Sequence, residues 1–300
     1  MRPKPAPAFR LTHPERVVYP DTGTTKGEVA AYYAAMVDWL LPEIVDRPLS
    51  TIRCPGGISS ACFFQRHVKA GLKRVDSVRL DEADGERGDY LVVRDAAGLL
   101  ELVQFNVLEF HPWGARAESP DRADRIVFDF DPGPGVAWRA VVAAAREARG
   151  LLEAVGLRSF VRTTGGKGLH VVAPLRPSRD WSVVKPFAQG LAQSMAESAP
   201  DRYVATAAKK LRGGRIFVDY LRNDRSASSI ASFSLRARPG APAAMPLAWE
   251  ELGRVRGGAQ FTIANAARRM ERLGAHPWGA FGSIRQNLPR AGQPALRKSA

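Results

Sequence analysis

Two aspartates stand two positions apart in the run RIVFDFDPGPG, Asp129 and Asp131, and a third, Asp219, ends the apolar run GRIFVDY. Alternate residues of a strand point to the same face, so Asp129 and Asp131 would lie side by side. Like charges this close raise each other's pKa unless a cation lies between them. If the strand of Asp219 is adjacent, three carboxylates form an oxygen-rich site suited to Mg²⁺ or Mn²⁺ and to phosphoryl transfer with two metal ions. The alternative is a simple turn after Asp131, with Asp129 as a hydrogen-bonded strand end.

The segment TTGGKGLH, Thr163 to His170, joins two hydroxyl side chains, three glycines, a lysine and a histidine just before an alternating stretch. Glycines let bare backbone amides and a cation approach an anion closely, so this composition is typical of a phosphate-binding loop. It is not a Walker A loop, because Gly168 stands where Ser or Thr should follow Lys167. The alternative is a tight turn at the paired glycines with Lys167 in solvent.

In SFSLRARPG, strand alternation would place Arg236 and Arg238 on one face. Two guanidinium groups in register suit a triphosphate. They would otherwise neutralise the carboxylates or form a solvated sheet face. His111 lies shortly before the acidic pair, where an isolated histidine is usually a structural hydrogen-bonding group.

Phe63 and Phe64 are followed by Gln65, Arg66 and His67. Adjacent aromatic rings with polar and cationic neighbours are typical of a platform on which nucleobases stack. Adjacent phenylalanines are more often core residues, so we expect only one ring of the pair to reach a base.

A basic cluster, His13, Arg16 and Lys26, surrounds the predicted start of the first helix. Free amides and the helix dipole at such an end favour a phosphate. The simpler interpretation is that Arg16 and Lys26 are ordinary surface charges.

Three helices are predicted to position these segments. The Thr-x-x-Glu form of TKGE, with apolar residues at helical spacing after it, predicts a helix over 25–41 that Pro42 ends. The same spacing predicts helices over 136–155 and over 182–197, where Pro186 would disturb the first turns. Short apolar runs next to Gly, Pro or Asp predict strands over 91–93, 102–108, 126–131, 169–172, 216–220 and 233–237.

Strands and helices alternate without a strict β-α-β order, which predicts one α/β domain with two lobes over 1–285 and a loosely ordered basic tail over 286–300. Lys and Arg number 44 against 30 Asp and Glu, and the resulting charge of +14 favours a polyanionic partner. No apolar run approaches membrane-spanning length and no apolar segment follows MRPKPAPAFR. We therefore expect a cytosolic protein that neither enters membranes nor is secreted.

The chain has two cysteines, Cys54 and Cys62. They are too few for a disulfide framework and fit a reducing compartment, so we expect them to be reduced. The alternative is a zinc site completed by His67, although the spacing matches no standard pattern.

Six segments, in chain order, are spread along most of the chain, from residue 12 to residue 252: THPERVVYPDTGTTKGEVAAYY, RCPGGISSACFFQRH, LEFHPWGARAESPDRADRIVFDFDPGPG, SFVRTTGGKGLHVV, FVDYLRN and SLRARPGAPAAMPLAWEEL. Together they resemble the polymerase domain of bacterial end-joining DNA ligases of the ligase D type, a branch of the archaeo-eukaryotic primase superfamily. The resemblance implies a mixed α/β (α+β) fold, a two-lobed primase-type catalytic domain with mixed and antiparallel sheets flanked by helices.

The same resemblance implies template-directed nucleotidyl transfer from NTPs or dNTPs, which fills short gaps or break ends in DNA and recognises a downstream 5′ phosphate. It implies two divalent ions, Mn²⁺ or Mg²⁺, and a frequent preference for ribonucleotides. No Lys-x-Asp-Gly adenylation motif occurs in the sequence. We therefore expect a standalone polymerase that works at the bacterial nucleoid beside a separate ATP-dependent DNA ligase and a Ku-like end-binding protein.

The resemblance also implies a role for each candidate residue. Asp129, Asp131 and Asp219 would hold the metal ions. The residues implied to contact the incoming triphosphate are His111, Thr164, Lys167, His170, Arg236 and Arg238. Those implied to contact DNA are His13, Arg16 and Lys26 at the 5′ phosphate and Phe63, Phe64 and Arg66 at the template. Thr164 replaces the usual serine, and His13 and Arg16 replace the usual asparagine and lysine.

Two other functions fit parts of the pattern. A phosphatase of the haloacid-dehalogenase type also uses Asp-x-Asp, with the first aspartate as nucleophile. It requires Thr or Val where this chain has Gly133. A noncatalytic DNA-binding module would explain the positive charge and the aromatic residues, but not three carboxylates that face a polyanion.

Overall fold

The structure is a computed structural model that describes residues 11–82 and 85–289. Within these ranges the strands and α-helices are, in chain order, β1 (Val17–Tyr19), β2 (Thr24–Thr25), α1 (Lys26–Ile44), β3 (Pro48–Arg53), β4 (Phe63–Gln65), β5 (Asp76–Asp81), β6 (Arg87–Val92), α2 (Ala96–Gln104), β7 (Val107–Pro112), β8 (Ala115–Arg116), β9 (Ser119–Ala123), β10 (Arg125–Pro132), α3 (Trp138–Ala154), β11 (Phe160–Thr163), β12 (Leu169–Pro174), α4 (Trp181–Ser198), β13 (Tyr203–Val204), β14 (Ile216–Asp219), β15 (Met245–Leu247) and α5 (Ala266–Leu273). In this part of the chain no helix is long and apolar enough to cross a membrane.

Two larger sheets organise the described residues. One has six strands in the order β13-β14-β10-β12-β11-β15, and its pairings are antiparallel except that of β13 with β14. The other has the order β4-β3-β6-β5, with β7 also paired to β3. Helices flank these largely antiparallel sheets, which confirms the predicted fold class.

Strand β10 lies inside the six-stranded sheet, and its two faces differ. Phe128 and Phe130 are fully buried on one face, in the main hydrophobic core to which α3 also contributes. Burial of such side chains stabilises the fold by about 1.5–3 kcal/mol each. Alternation then places Asp129 and Asp131 on the opposite face. The core therefore fixes the direction of both carboxylates.

Helix α1 begins where its capping box predicts. Thr25 Oγ1 accepts a hydrogen bond from Glu28 N (3.2 Å), and the Glu28 carboxylate accepts one from Thr25 N (2.7 Å). The predicted end at Pro42 is wrong, because the helix continues to Ile44. The φ of proline is compatible with a helix. Close to the end of a helix, proline therefore removes one backbone hydrogen bond but does not end the helix. Helix α4 likewise includes Pro186 near its start.

Two predicted strands are wrong. The 102–108 prediction fails because α2, capped by Asp95, occupies its first half, and β7 begins only at Val107. The 233–237 segment is irregular, since Phe233 has a φ of 66°, outside the strand region. Apolar runs of this length do not by themselves separate helix, strand and irregular backbone.

The two cysteines form a disulfide, so the expectation that they are reduced is wrong. Antiparallel pairing of β3 with β4 places Arg53 opposite Phe63, and this brings the neighbouring residues Cys54 and Cys62 together. The zinc alternative with His67 is also wrong, because both sulfur atoms are already bonded to each other.

Ordered packing continues past residue 285. Gln286 Nε2 donates to Arg158 O (2.8 Å), and its Oε1 accepts from Arg158 N (3.0 Å). Leu288 is buried. The rest of the predicted tail, residues 290–300, lies outside the described residues.

Candidate active site

The three aspartates predicted from the sequence lie together on neighbouring strands. Antiparallel pairing places Asp129 directly opposite Asp219. Asp131 lies two residues further along β10, on the same face. Asp219 is buried, whereas the side chain of Asp131 is 48% exposed. The acidic cluster therefore runs from the interior of the sheet to the solvent.

Arginines compensate these carboxylates. Arg222 Nη2 lies 3.0 Å from Asp219 Oδ2 and 3.8 Å from Asp129 Oδ2. Arg212 Nη1 lies 2.9 Å from Asp131 Oδ2. With the carboxylates turned to these partners, no three His, Cys, Asp or Glu side chains in the described residues are placed to hold a metal ion. The side chains therefore do not form the preassembled three-carboxylate centre that the sequence predicts.

The donor chemistry of the cluster nevertheless fits divalent ions. The pairing of β10 with β14 places three carboxylate groups at adjoining positions, and carboxylate oxygens are ligands that suit Mg²⁺ and Mn²⁺. Arg222 is 43% exposed, whereas Arg212 is 16% exposed and lies over the Phe217 ring at 4.1 Å. Bound divalent ions would have to replace both cations. Sequence reasoning missed both arginines, although the position of Arg222 three residues after Asp219 was an available signal.

The three carboxylates differ in pKa. Burial favours a higher pKa for Asp129, but His170 and Arg222 outweigh it, and the pKa is lowered. Burial and the charge of Asp129 raise the pKa of Asp131. Burial also raises the pKa of Asp219, against the opposing charge of Arg222. Asp129 is thus the most acidic member, and a bound cation would favour ionisation of the other two.

His170 faces the acidic cluster from the neighbouring strand. Pairing of β10 with β12 places it opposite Asp129, with Nε2 3.4 Å from Asp129 Oδ2. Burial, with Arg162 and Arg222, lowers the pKa of His170 to about 4 despite the opposing charge of Asp129. The imidazole is therefore neutral at neutral pH.

The loop between β11 and β12 folds back on itself. Thr164 Oγ1 donates to Gly168 O (3.2 Å) and accepts from Gly166 N (3.2 Å). The amide of Gly165 donates to a carbonyl of a neighbouring segment (3.0 Å). The expectation of bare amides is therefore wrong for Gly165 and Gly166. Lys167 is exposed and supplies the cation that the loop offers to an anion.

Glu109, which the sequence did not single out, holds two of the predicted nucleotide-binding residues. Its Oε2 lies 2.8 Å from His111 Nε2 and 2.9 Å from Arg236 Nε. Burial favours a higher pKa for Glu109, but His111 and Arg236 outweigh it and set the pKa at about 2. Arg236 Nη1 also donates to Thr164 O (3.0 Å). Arg236 is thus held between the ionised carboxylate of Glu109 on β7 and the loop.

A cavity of about 630 Å³ collects these side chains. It is lined by all six residues predicted to bind the nucleotide and by two of the aspartates: His111, Thr164, Lys167, His170, Arg236, Arg238, Asp129 and Asp131. Lys209, Arg212 and Arg222 line it as well. Arg236 and Arg238 reach it although their segment is not the predicted strand. Cations next to carboxylates suit a polyanion that binds with divalent ions.

Both rings of the predicted stacking pair are exposed. Phe63 is 55% exposed and Phe64 is 63% exposed, since β4 is an edge strand of its sheet. Neither phenylalanine therefore has the core position that is usual for adjacent phenylalanines. Because both rings are exposed, exposure does not show which of them would reach a base. Arg66 lies beside them and pairs with Glu82 (2.9 Å).

The basic cluster at the start of α1 is brought together, but the helix end is occupied. The first two amides of α1 donate to the carbonyls of Arg16 (2.7 Å) and Pro14 (2.8 Å), which lie before β1, so the expectation of free amides is wrong. Lys26 is 3% exposed, and its Nζ donates to Thr12 O (2.9 Å) and Gln104 Oε1 (3.2 Å). His13 and Arg16 are exposed. A phosphate at this helix end would therefore be bound by side chains and not by the first backbone amides of α1.

Comparisons with known proteins identify the family of this chain. The family described as "LigD, primase-polymerase domain" matches residues 25–278. The multifunctional non-homologous end joining protein LigD of Pseudomonas aeruginosa is 39% identical over 284 residues, which cover 94% of this chain and 34% of that protein. The bifunctional LigD of Bacillus subtilis is 28% identical over 269 residues, which cover 89% of this chain and 43% of that protein. The chain therefore spans less than half the length of these relatives.

A solved structure is also similar. The polymerase domain of Mycobacterium tuberculosis Ligase D, in complex with DNA, superposes with a TM-score of 0.86 at 30% identity, covering 94% of this chain and 99% of that chain. Family match, identity and fold agree over nearly the whole chain. This chain therefore belongs to the LigD primase-polymerase domain family.

Proposed function

We propose that this chain is a template-directed nucleotidyltransferase that fills short gaps or break ends in DNA during end joining. The observation that carries the proposal is the position of Asp129 opposite Asp219, beside a cavity with a cationic wall. A nucleoside triphosphate has the charge to bind that wall. The carboxylates would place divalent ions between its phosphates and the end of a primer.

Each part of the cavity would have one task. Mn²⁺ or Mg²⁺ held by Asp129, Asp131 and Asp219 would lower the pKa of the primer 3′ hydroxyl and neutralise charge on the phosphates. Lys167 and Arg236 would bind the triphosphate, with Glu109 and the loop fixing the direction of the Arg236 side chain. Further contacts to the triphosphate would come from His111, Thr164, His170 and Arg238.

The surface outside the cavity would hold DNA. The charge of +14 favours contact with phosphates, and the matched structure of the Mycobacterium tuberculosis domain is a DNA complex. Phe63 or Phe64 would stack on the template base, with Arg66 beside them. Lys26, with the neighbouring His13 and Arg16 side chains, would bind the downstream 5′ phosphate. The same proposal includes cooperation with an ATP-dependent DNA ligase activity and with a Ku-like end-binding protein. It also includes work at the nucleoid and a preference for ribonucleotides.

Primer extension across a short gap tests the proposal. The wild type should extend the primer with Mg²⁺ or Mn²⁺. A comparison of NTP with dNTP gives its nucleotide preference, and a comparison of gaps with a 5′ phosphate and a 5′ hydroxyl gives its preference for the downstream end. Asp129→Ala should lose extension while still binding the gapped DNA, because it removes an ion ligand and no DNA contact. Asp201→Ala changes an exposed aspartate and serves as the matched control.

The two alternatives give different results. A phosphatase would release phosphate from a small phosphoester and would not extend a primer. A binding module would not extend in the wild type, and Asp129→Ala would keep or tighten its DNA affinity with nothing else lost.

A further inference from the structure

Arg162 and Glu43 form a buried ion pair next to His170. Arg162 is 1% exposed, and its Nη1 lies 2.8 Å from Glu43 Oε2. Glu43 belongs to α1, and its Oε2 also accepts a hydrogen bond from Ser232 N (3.0 Å). Neither member of the pair lines the cavity of the candidate active site. The pair is therefore placed to act on that site only through another residue.

Arg162 contacts two residues that line the cavity: Ser229, whose Oγ accepts from Arg162 Nη2 at 3.4 Å, and His170. Arg162 Nε donates a hydrogen bond to His170 Nδ1 at 3.3 Å. A guanidinium group has donors and no acceptor, so Nδ1 must present its lone pair. The only proton of the imidazole then lies on Nε2, the nitrogen that faces Asp129 Oδ2 at 3.4 Å.

The opposite tautomer would make two contacts unfavourable. A proton on Nδ1 would meet the N–H of Arg162, and the Nε2 lone pair would face the carboxylate of Asp129. His170 is 3% exposed, so little water is available to compensate either contact. The buried environment therefore favours one tautomer strongly.

We infer that Arg162, held in place by Glu43, is a positioning residue that fixes His170 in the Nε2–H tautomer, so that the imidazole donates a hydrogen bond into the cavity. In the structure this N–H faces Asp129 Oδ2. That a phosphate oxygen of the bound nucleotide accepts the hydrogen bond instead rests on the proposed function. The tautomer itself rests only on the contacts of Arg162 and His170.

Two double variants test this inference without leaving a buried charge uncompensated, which would threaten folding. Glu43→Gln with Arg162→Gln puts an amide N–H at the position of Arg162 Nε, because both nitrogens follow Cδ. Glu43→Gln with Arg162→Met puts a methyl group at that position. The two proteins are matched in size and charge, and they differ in the side-chain amide at position 162, which can hydrogen-bond His170 Nδ1 only in the glutamine variant.

The first readout is the pair of ¹⁵N shifts of His170 in protein labelled at histidine, without DNA or nucleotide. The chain has five histidines, and the spectrum of His170→Asn assigns the signal. The wild type and the double variant with Arg162→Gln should show the proton on Nε2. The double variant with Arg162→Met should show an Nδ1–H population. A wild-type proton on Nδ1, or unchanged shifts in the Arg162→Met variant, would overturn the inference.

The second readout is gap filling. The Arg162→Met variant should have a higher KM for NTP than the Arg162→Gln variant. Partners that orient metal-bound histidines are worth about 10- to 100-fold in metal affinity or activity, and we expect an effect of similar size on KM here. Equal KM values for the two variants would refute the claim that His170 donates a hydrogen bond to the bound nucleotide. If the wild type extends no primer, the proposed function fails, whereas the ¹⁵N shifts still decide the tautomer.

Discussion

Gly168 lies where the loop before β12 meets strand β10, and this contact gives a prediction whose size follows from the structure. A Cβ at Gly168 would lie 2.3 Å from Phe130 O and 3.6 Å from Asp129 Oδ1. Carbon and oxygen atoms in close contact are normally about 3.3 Å apart or more. Gly168→Ala therefore has to separate the loop from β10 by about 1 Å, because the obstructing atom is backbone.

This displacement would separate Lys167 and His170 from the acidic cluster. A misplacement of about 1 Å can reduce a reaction rate by about 100-fold. Overpacking of this kind also costs about 1–3 kcal/mol in free energy of unfolding. The matched control is Gly190→Ala in α4, where a Cβ meets nothing within 4 Å. It should keep the rate and raise the free energy of unfolding by about 0.5–1 kcal/mol.

The assay is single-turnover extension of a gapped primer at saturating NTP and metal, together with urea unfolding of each variant. Folded Gly168→Ala protein should extend about 100-fold more slowly than the wild type. A folded variant that extends at the wild-type rate would refute the idea that close contact between loop and strand sets the geometry of the site.

Three further predictions concern other parts of the molecule. Burial favours a higher pKa for Asp124, but Arg47 outweighs it and sets the pKa at about 2, below the usual 3.8. Its contribution to stability is therefore complete above about pH 4 and lost as pH falls toward 2, so Asp124→Asn should lower the free energy of unfolding by about 2 kcal/mol at pH 7. In urea unfolding this difference should shrink below pH 4, and a difference independent of pH would contradict the assignment. Lys26→Met should erase any preference for 5′-phosphorylated gaps in extension assays, and equal loss on phosphate and hydroxyl ends would argue against phosphate binding. Alanine at Phe63 or at Phe64, whichever ring stacks, should weaken binding of gapped DNA by about 1–3 kcal/mol in a fluorescence titration, and no effect of either variant would exclude the platform.

The acidic face of β10 could be predicted from the sequence because its cause is local. The alternation of apolar and acidic residues in IVFDFD fixes which side chains share a face, and Phe128 and Phe130 identify the buried one. The capping box of α1 is local in the same sense. The adjacency of Asp219 was a hypothesis about pairing, and the register of β14 agrees with it.

Contacts between distant segments could not be predicted in this way. The pairing of Arg212 with Asp131 spans 81 residues and that of Arg162 with Glu43 spans 119. Such pairs depend on the packing of whole elements and on side-chain rotamers, which leave no periodic pattern in the sequence. The hydrogen bond that occupies the amide of Gly165 has the same origin, because its acceptor belongs to Gly258, whereas the acceptor for Gly166 is the nearby Thr164.

The count of bound Mn²⁺ ions tests the central claim most directly. The electron paramagnetic resonance signal of free Mn²⁺ is followed during titration of the protein with gapped DNA and a nonhydrolysable NTP present. The wild type should bind about two ions, and Asp129→Asn should bind fewer while its DNA affinity is kept. If Asp129→Asn binds as many ions as the wild type with the same affinity, the three aspartates are not the metal ligands and the account of the site is wrong.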